Sequence, residues 1–178
     1  DYFRNKAVLR EMITERYKEI ESLNELVIIE GAGSPAEINL NKDDIVNMGM
    51  AKIADAPVIL VTDIDRGGSF AAVYGTVMLL EQEDRRRIKG IVFNKFRGDI
   101  SLLEPGIDML EKLIDIPVVG IIPYIDLNIE DEDTLTDKTK KCEDGSQTRD
   151  ELEEELEKLA EVVRANIDMD IIYKLAGV

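Results

Sequence analysis

The feature that most constrains this 178-residue chain is a repeated order: a short, mainly apolar run, a polar turn, then a stretch with helical spacing. The runs are Leu26-Val27-Ile28-Ile29, Val58-Ile59-Leu60-Val61, Ile88 to Phe93, in which Lys89 is the one charged residue, and Pro117 to Ile122. A run that is apolar at every position suits a strand covered on both faces, and helices between such strands make crossover connections. The expected fold class is therefore α/β, a mostly parallel sheet with flanking helices. Helices are expected over 3–23, where Val8, Leu9, Met12, Ile13, Tyr17 and Ile20 recur at helical spacing, and over 43–54, with Asp43 or Asp44 as cap. Further helices are expected from Gly67 to Glu83 and from Ser101 to Ile114.

In a parallel sheet the ligand site lies beyond the carboxyl ends of the strands. The polar residues at those ends are Glu30, Asp63 with Asp65, Asn94 with Lys95, and Tyr124. Glu30-Gly31-Ala32-Gly33 reads either as a turn with a solvated acid or as an acid that holds Mg²⁺ beside a nucleotide, with glycines that let backbone approach the ligand. The same stretch matches Gly31-x-Gly33-x-x-Ala36, but Pro35 interrupts the turn, no helix pattern starts at Gly33, and the acid ~20 residues on, Asp55, falls before the next strand and not at its end, so a dinucleotide fingerprint is rejected. Asp63-Ile64-Asp65-Arg66-Gly67-Gly68-Ser69 places two carboxylates, a guanidinium and two glycines at a helix start. This can be a capped helix with an ion pair. It can equally be an anion site in which Arg66 clamps a carboxylate or phosphate and Asp63 or Asp65 holds a metal, an amide or ammonia. Asn94-Lys95-Phe96-Arg97-Gly98-Asp99 offers an amide able to read a purine edge, together with local positive charge; the alternative is a solvated surface.

Composition removes several function classes. A net charge of −16 opposes general binding to nucleic acid or to anionic membrane. With no His, the chain cannot build Ser-His or Cys-His nucleophiles or His-based metal sites. The single Cys, Cys142, lies in a charged segment and is read neither as a nucleophile nor as part of a disulfide framework. No apolar run reaches the ~18–20 residues of a membrane span, and the start lacks a signal-peptide layout, so a cytoplasmic location is expected. After Tyr124 the chain becomes polar. Glu130–Asp133 is read as a solvated acidic loop, 137–150 as a linker, and 151–178 as a helical tail with Leu152, Leu156, Leu159, Val162 and Val163 on one face. A homo-oligomer is compatible with the sequence, which does not specify one.

Taken together, Glu30 to Leu40, Asp44-Ile45-Val46-Asn47-Met48-Gly49, Asp63 to Gly68, Asn94 to Asp99 and Gly120-Ile121-Ile122-Pro123-Tyr124 resemble the cobyric acid synthase family over residues 1–136. The resemblance implies a P-loop NTPase fold like that of dethiobiotin synthetase. It implies ATP-dependent amidation of corrin side-chain carboxylates of adenosylcobyrinic acid a,c-diamide, with ammonia from glutamine and a carboxyl phosphate intermediate, in cobalamin biosynthesis. By the same resemblance Glu30 is a Mg²⁺ ligand and Asn94 with Lys95 contacts the nucleotide. The Asp63–Gly68 loop lies near the phosphates and the substrate carboxylate, with Asp63, Asp65 and Arg66 as the catalytic candidates and Gly31, Gly33, Gly67 and Gly68 as further cofactor-binding candidates. The sequence departs from the family in two respects: it contains no Gly-x-x-x-x-Gly-Lys-Ser/Thr loop and no glutaminase domain. The fold is accordingly expected to be incomplete, with a synthetase core joined to a tail near 137–150, and the isolated chain is expected not to complete the reaction. The competing expectations are an inactive domain that binds corrinoid or a partner chain, and a ParA- or MinD-like regulatory ATPase.

Overall fold

The structure, a computed structural model, describes residues 6–37, 39, 44–129 and 149–178. Asp43, Ile38, Leu40, the acidic run Glu130–Asp133, Cys142 and the 137–148 part of the expected linker lie outside the described residues. The chain runs α1 (Lys6–Leu23), α2 (Met48–Ile53), β1 (Val58–Asp63), α3 (Ser69–Leu79), α4 (Gln82–Arg87), β2 (Ile88–Phe96), a 3-10 turn (Ile100–Leu102), α5 (Glu104–Ile114), β3 (Val118–Pro123), α6 (Arg149–Asn166) and α7 (Met169–Ala176). The strands form one three-stranded sheet in the order β1-β2-β3, and both pairings are parallel. No described helix is long and apolar enough to cross a membrane.

The central strand shows why these runs carry no polar alternation over their buried part. Ile91 and Phe93 enter a core with Val73 and Val77 of α3, Leu110 and Ile114 of α5, and Met48 of α2. Val92, between them, faces the other side and packs with Val119, Ile122, Ile59, Val162, Val163, Ile167 and Ile171. Over Ile91–Phe93 alternate residues therefore point to opposite covered faces, which suits apolar side chains on both, while Lys89, near the start of the strand, is exposed. Phe93 is fully buried, with its ring 5.0 Å from that of Phe70; burying a side chain of this size contributes about 1.5–3 kcal/mol.

The second face is covered by the C-terminal helices, which dock on the sheet. Asp168 donates its N–H to Val119 O at 2.8 Å, and Gly120 forms an antiparallel bridge with Ile167. A Cβ on Gly120 would lie 2.7 Å from Cγ1 of Ile167 and 2.9 Å from the carbonyl oxygen of Asn166, so only glycine lets the helical segment come this close.

Several elements differ from their sequence expectation. Leu26–Ile29 joins no ladder among the described residues, and Ile28 is 87% exposed. A β-branched run becomes a strand only where a neighbouring edge offers it hydrogen-bond partners, and this run has none. The helix expected from Gly67 to Glu83 breaks at Leu80–Glu81 into α3 and α4, because Leu80 is extended. Arg85 donates to the open carbonyls of Met78 and Leu80 at this break. The helix expected from Ser101 begins at Glu104, after the 3-10 turn. The helix expected from 43 begins at Met48.

Candidate functional site

The carboxyl ends of the three strands are pinned to one another by backbone bonds. The register of β1 on β2 ends at Asp63 opposite Asn94, and the Ile64 N–H continues it to Asn94 O at 3.0 Å. On the other side, Phe93 pairs with Ile121 and Phe96 with Pro123, so β2 carries one more residue than β3 over this interval. That is a bulge at Asn94-Lys95, a feature that re-aims side chains at strand ends. Lys95 sits at φ 63, in the left-handed region, and its N–H is accepted by the Asn94 side-chain oxygen at 2.9 Å. Tyr124 N–H then bonds Phe96 O at 2.8 Å and fixes the end of β3 beside Arg97.

On this frame the polar side chains form a continuous line. Lys95 Nζ lies 3.0 Å from Asp63 Oδ2, and Asp63 Oδ1 accepts the Asp65 N–H at 2.9 Å. Asp65 Oδ1 in turn accepts from Arg97 Nε at 2.9 Å, and the Arg97 guanidinium carbon lies 3.3 Å from the centre of the Tyr124 ring. The hydrogen bond from Lys95, helped by the Asp65 N–H, holds the Asp63 carboxyl below its ordinary value. An acid that stays ionised is poorly suited to donating protons near neutrality and well suited to orienting a cation. Arg66 is exposed and electrostatically close to Asp63. Gly67 and Gly68 both take φ 74, and Gly68 caps α3, whose first residue, Ser69, is buried. The left-handed pair turns the chain from strand end to helix start, a path that a Cβ would strain.

Glu30, Gly31 and Gly33 occupy a different setting. Because Leu26–Ile29 is not a strand in this structure, Glu30 lies in an exposed loop and makes no hydrogen bond or ion pair with the described residues. The loop is nonetheless anchored. Asn47 Nδ2 donates to Ala32 O at 2.8 Å and to Ser34 O at 3.3 Å, and a Cβ on Gly31 would run into Asn47 Oδ1. Asn47 is itself set by Asp44, whose carboxylate accepts the N–H groups of Val46 and Asn47 at 2.8 and 3.0 Å and of Gly49 at 2.8 Å. Partial burial raises the Asp44 carboxyl, but these amides outweigh it and leave the group below its ordinary value. A Cβ on Gly49 would collide with the Asp44 carbonyl oxygen. Sequence reasoning assigned no individual role to Asn47, placed Tyr124 at a strand end, and read Arg97, within the Asn94–Asp99 segment, only as local positive charge. The signal for Asn47 is its place in the Asp44–Gly49 motif, whereas the Arg97–Tyr124 stack joins residues distant in sequence.

The structure thus brings together Asp63, Asp65, Asn94 and Lys95, with Arg66, Gly67 and Gly68 at the adjoining helix start. No hydrogen bond or ion pair among the described residues joins Glu30 to them. No group of three acidic side chains able to cage a metal occurs among the described residues. A Mg²⁺ ion that arrives with a nucleotide asks less, one or two carboxylates plus phosphate oxygens and water, and the unpaired Glu30 carboxylate fits that demand. The rim is an open edge. Two surface hollows lie away from it, one among Asp55, Pro57, Arg86, Arg87 and Lys89 and another along α6 at Glu153, Leu156 and Glu157.

Residues 4–131 match the family model described as "AAA domain". The chain is 60% identical over 141 residues to the cobyric acid synthase of Alkaliphilus metalliredigens, covering 79% of this chain and 28% of that protein. It is 58% identical over 131 residues to the cobyric acid synthase of Listeria monocytogenes serotype 4a and 54% identical over 140 residues to that of Clostridium novyi. These matches cover 74% and 79% of this chain, and 26% and 28% of those proteins, so the chain spans about a quarter of the length of the curated relatives it matches. No solved structure matches it.

Proposed function

Since the chain belongs to the AAA domain family and is homologous to cobyric acid synthases over most of its length, we propose that it serves cobalamin biosynthesis as the synthetase core of such an enzyme. In this reading it works in the cytoplasm on ATP and a corrinoid polycarboxylate, adenosylcobyrinic acid a,c-diamide. The observation that carries the reading is the meeting of Asp63, Asp65, Lys95 and Arg97 at the carboxyl ends of adjacent parallel strands, where α/β sheets bind their ligands.

The proposed chemistry has two steps. A substrate carboxylate oxygen attacks the γ-phosphorus of ATP, the bond to the bridging oxygen breaks, and ADP leaves with the electron pair. Ammonia derived from glutamine then adds to the carbonyl carbon of the carboxyl phosphate; the C–O bond to phosphate breaks, inorganic phosphate departs carrying the proton that the nitrogen gives up, and an amide remains. Mg²⁺ bound with the nucleotide supplies charge neutralisation on the phosphate oxygens. Glu30 is the residue assigned to hold it, on a loop that Asn47 keeps in place.

Asn94 and Lys95 are assigned to the nucleotide and Arg66 to the anion transferred, with Gly67 and Gly68 keeping the helix start open to phosphate. Asp63 and Asp65, both ion-paired, orient the cations and can accept a hydrogen bond from ammonia. The 1–136 segment is assigned as the synthetase core and 151–178 as a helical extension. The sequence carries no Gly-x-x-x-x-Gly-Lys-Ser/Thr loop, whose amides and lysine cradle phosphates elsewhere, so ATP alone should bind weakly.

Calorimetric titration with Mg-ATP and with cobyrinic acid a,c-diamide, followed by an assay for amide formation from glutamine or from ammonium, tests the reading. Corrinoid binding is expected, with weak nucleotide binding and no glutamine-dependent product from this chain alone. Absence of corrinoid binding together with partner-stimulated ATP hydrolysis would assign the chain to a regulatory ATPase.

A further inference from the structure

A polycarboxylate ligand approaching a protein of net charge −16 is repelled unless a cation at the site is held ready for it. Three cationic side chains stand at the rim, and their states differ. Lys95 is committed to Asp63 at 3.0 Å. Arg66 is exposed and forms no hydrogen bond with the described residues, so a ligand would have to order its whole side chain. Arg97 is already ordered: Asp65 holds Nε at 2.9 Å, and the ring of Tyr124 lies 3.3 Å beneath the guanidinium. The hydrogen bond to Asp65 uses one of five N–H donors. The side chain remains 55% exposed, and Gly98, at φ 121, turns the following chain without adding a side chain of its own.

We propose that Arg97 is the carboxylate-gripping residue of the rim, with Tyr124 and Asp65 as the residues that position it. A guanidinium held at Nε by a carboxylate and packed over a ring leaves its terminal nitrogens as a planar fork, the geometry that matches a carboxylate with two parallel hydrogen bonds. The stack is set by the backbone, because the Tyr124 N–H to Phe96 O bond holds the ring beside the residue that follows β2. Ligand class follows from the chemistry: a carboxylate borne on an exposed, carboxylate-rich molecule, gripped on an open edge that does not require the whole ligand to be enclosed. This deepens, and rests on, the reading of the rim as a polycarboxylate site.

The test uses the full chain and two probes, tricarballylate as a simple polycarboxylate and cobyrinic acid a,c-diamide, followed by the Arg97 Nε–Hε resonance and by binding affinity. Arg97→Met should weaken both by about tenfold or more, the usual scale for losing a charge-assisted bidentate pair, while Mg-ATP affinity and the thermal midpoint stay near those of the unmodified chain. Arg97→Lys should restore less than the full affinity, since it keeps the charge and loses the fork. Tyr124→Leu should weaken both probes without removing the charge, and trimethyl tricarballylate should not bind. Equal affinity of Arg97→Met and the unmodified chain for both probes overturns the proposal. If tricarballylate binds through Arg97 and the corrinoid does not bind, the grip stands and the cobyric acid synthase reading falls. If the corrinoid binds and ignores Arg97→Met, the grip falls and that reading stands. Binding of neither probe overturns both.

Discussion

Lys95 Nζ stands 3.0 Å from Asp63 Oδ2, so the bulged end of β2 is joined to the end of β1 by an ion pair at the edge where ligands of α/β sheets bind. The pair is partly exposed, and its contribution to stability is modest for that reason. Its influence on titration is the better readout. Because the folded Asp63 carboxyl lies below its ordinary value, the stability it contributes is present above the unfolded carboxylate value, about pH 4, and is lost as pH falls through the folded value. Lys95→Met should raise the Asp63 titration toward the ordinary range, as read by carboxyl NMR. The gap in thermal midpoint between Lys95→Met and the unmodified chain should narrow as the pH is taken below that of Asp63.

The left-handed backbone of Lys95 gives a second, independent outcome. A β-branched residue tolerates φ 63 poorly, whereas glycine takes it freely. Lys95→Val should be less stable than Lys95→Gly by about 1–2 kcal/mol, measured by urea denaturation. Both variants lack the cation, so the difference reports the bulge alone.

Asn47 links α2 to the Gly31–Ser34 loop through hydrogen bonds to Ala32 O and Ser34 O. Asn47→Ala should cost about 1 kcal/mol in global stability, the usual scale for lost hydrogen bonds. Amide exchange in the loop around Gly31 should accelerate by much more than exchange in β2. Gly31→Ala should show the same loop signature, because its Cβ meets the Asn47 side chain.

Gly120→Val should lower stability by about 1–3 kcal/mol, the scale of overpacking, since the new side chain meets Ile167 and the Asn166 carbonyl. Exchange protection should fall first in α6 and α7, with β2 retaining its protection. A uniform loss across the chain would show that the C-terminal helices are not a separable layer.

Ile28→Lys should leave the thermal midpoint within the range of a neutral surface change, about ±0.5 kcal/mol, because Ile28 is largely exposed. The same substitution on the fully buried Ile91 should unfold the chain. The contrast checks that an apolar run at one position is core and at another is surface.

Much of this molecule was legible in the order of its residues. The mainly apolar runs Val58–Val61 and Ile88–Phe93 and the Val118–Ile122 part of the Pro117–Ile122 run are strands of a parallel sheet, because two-sided burial leaves no polar alternation and the crossover helices impose direction. The motif residues Asp63, Asp65, Asn94 and Lys95 lie at strand ends for the same reason. What the tertiary structure alone decided is pairing. Leu26–Ile29 has the composition of a strand and lacks a neighbouring edge, and no local signal reports whether an edge will be there. The bulge that turns Lys95 onto Asp63, and the stack of Arg97 on Tyr124, both depend on the register between β2 and β3. Register is set by the packing of both faces of the sheet at once. A sequence therefore states which residues can bear charge at a strand end, and only the assembled sheet determines which of those charges meet.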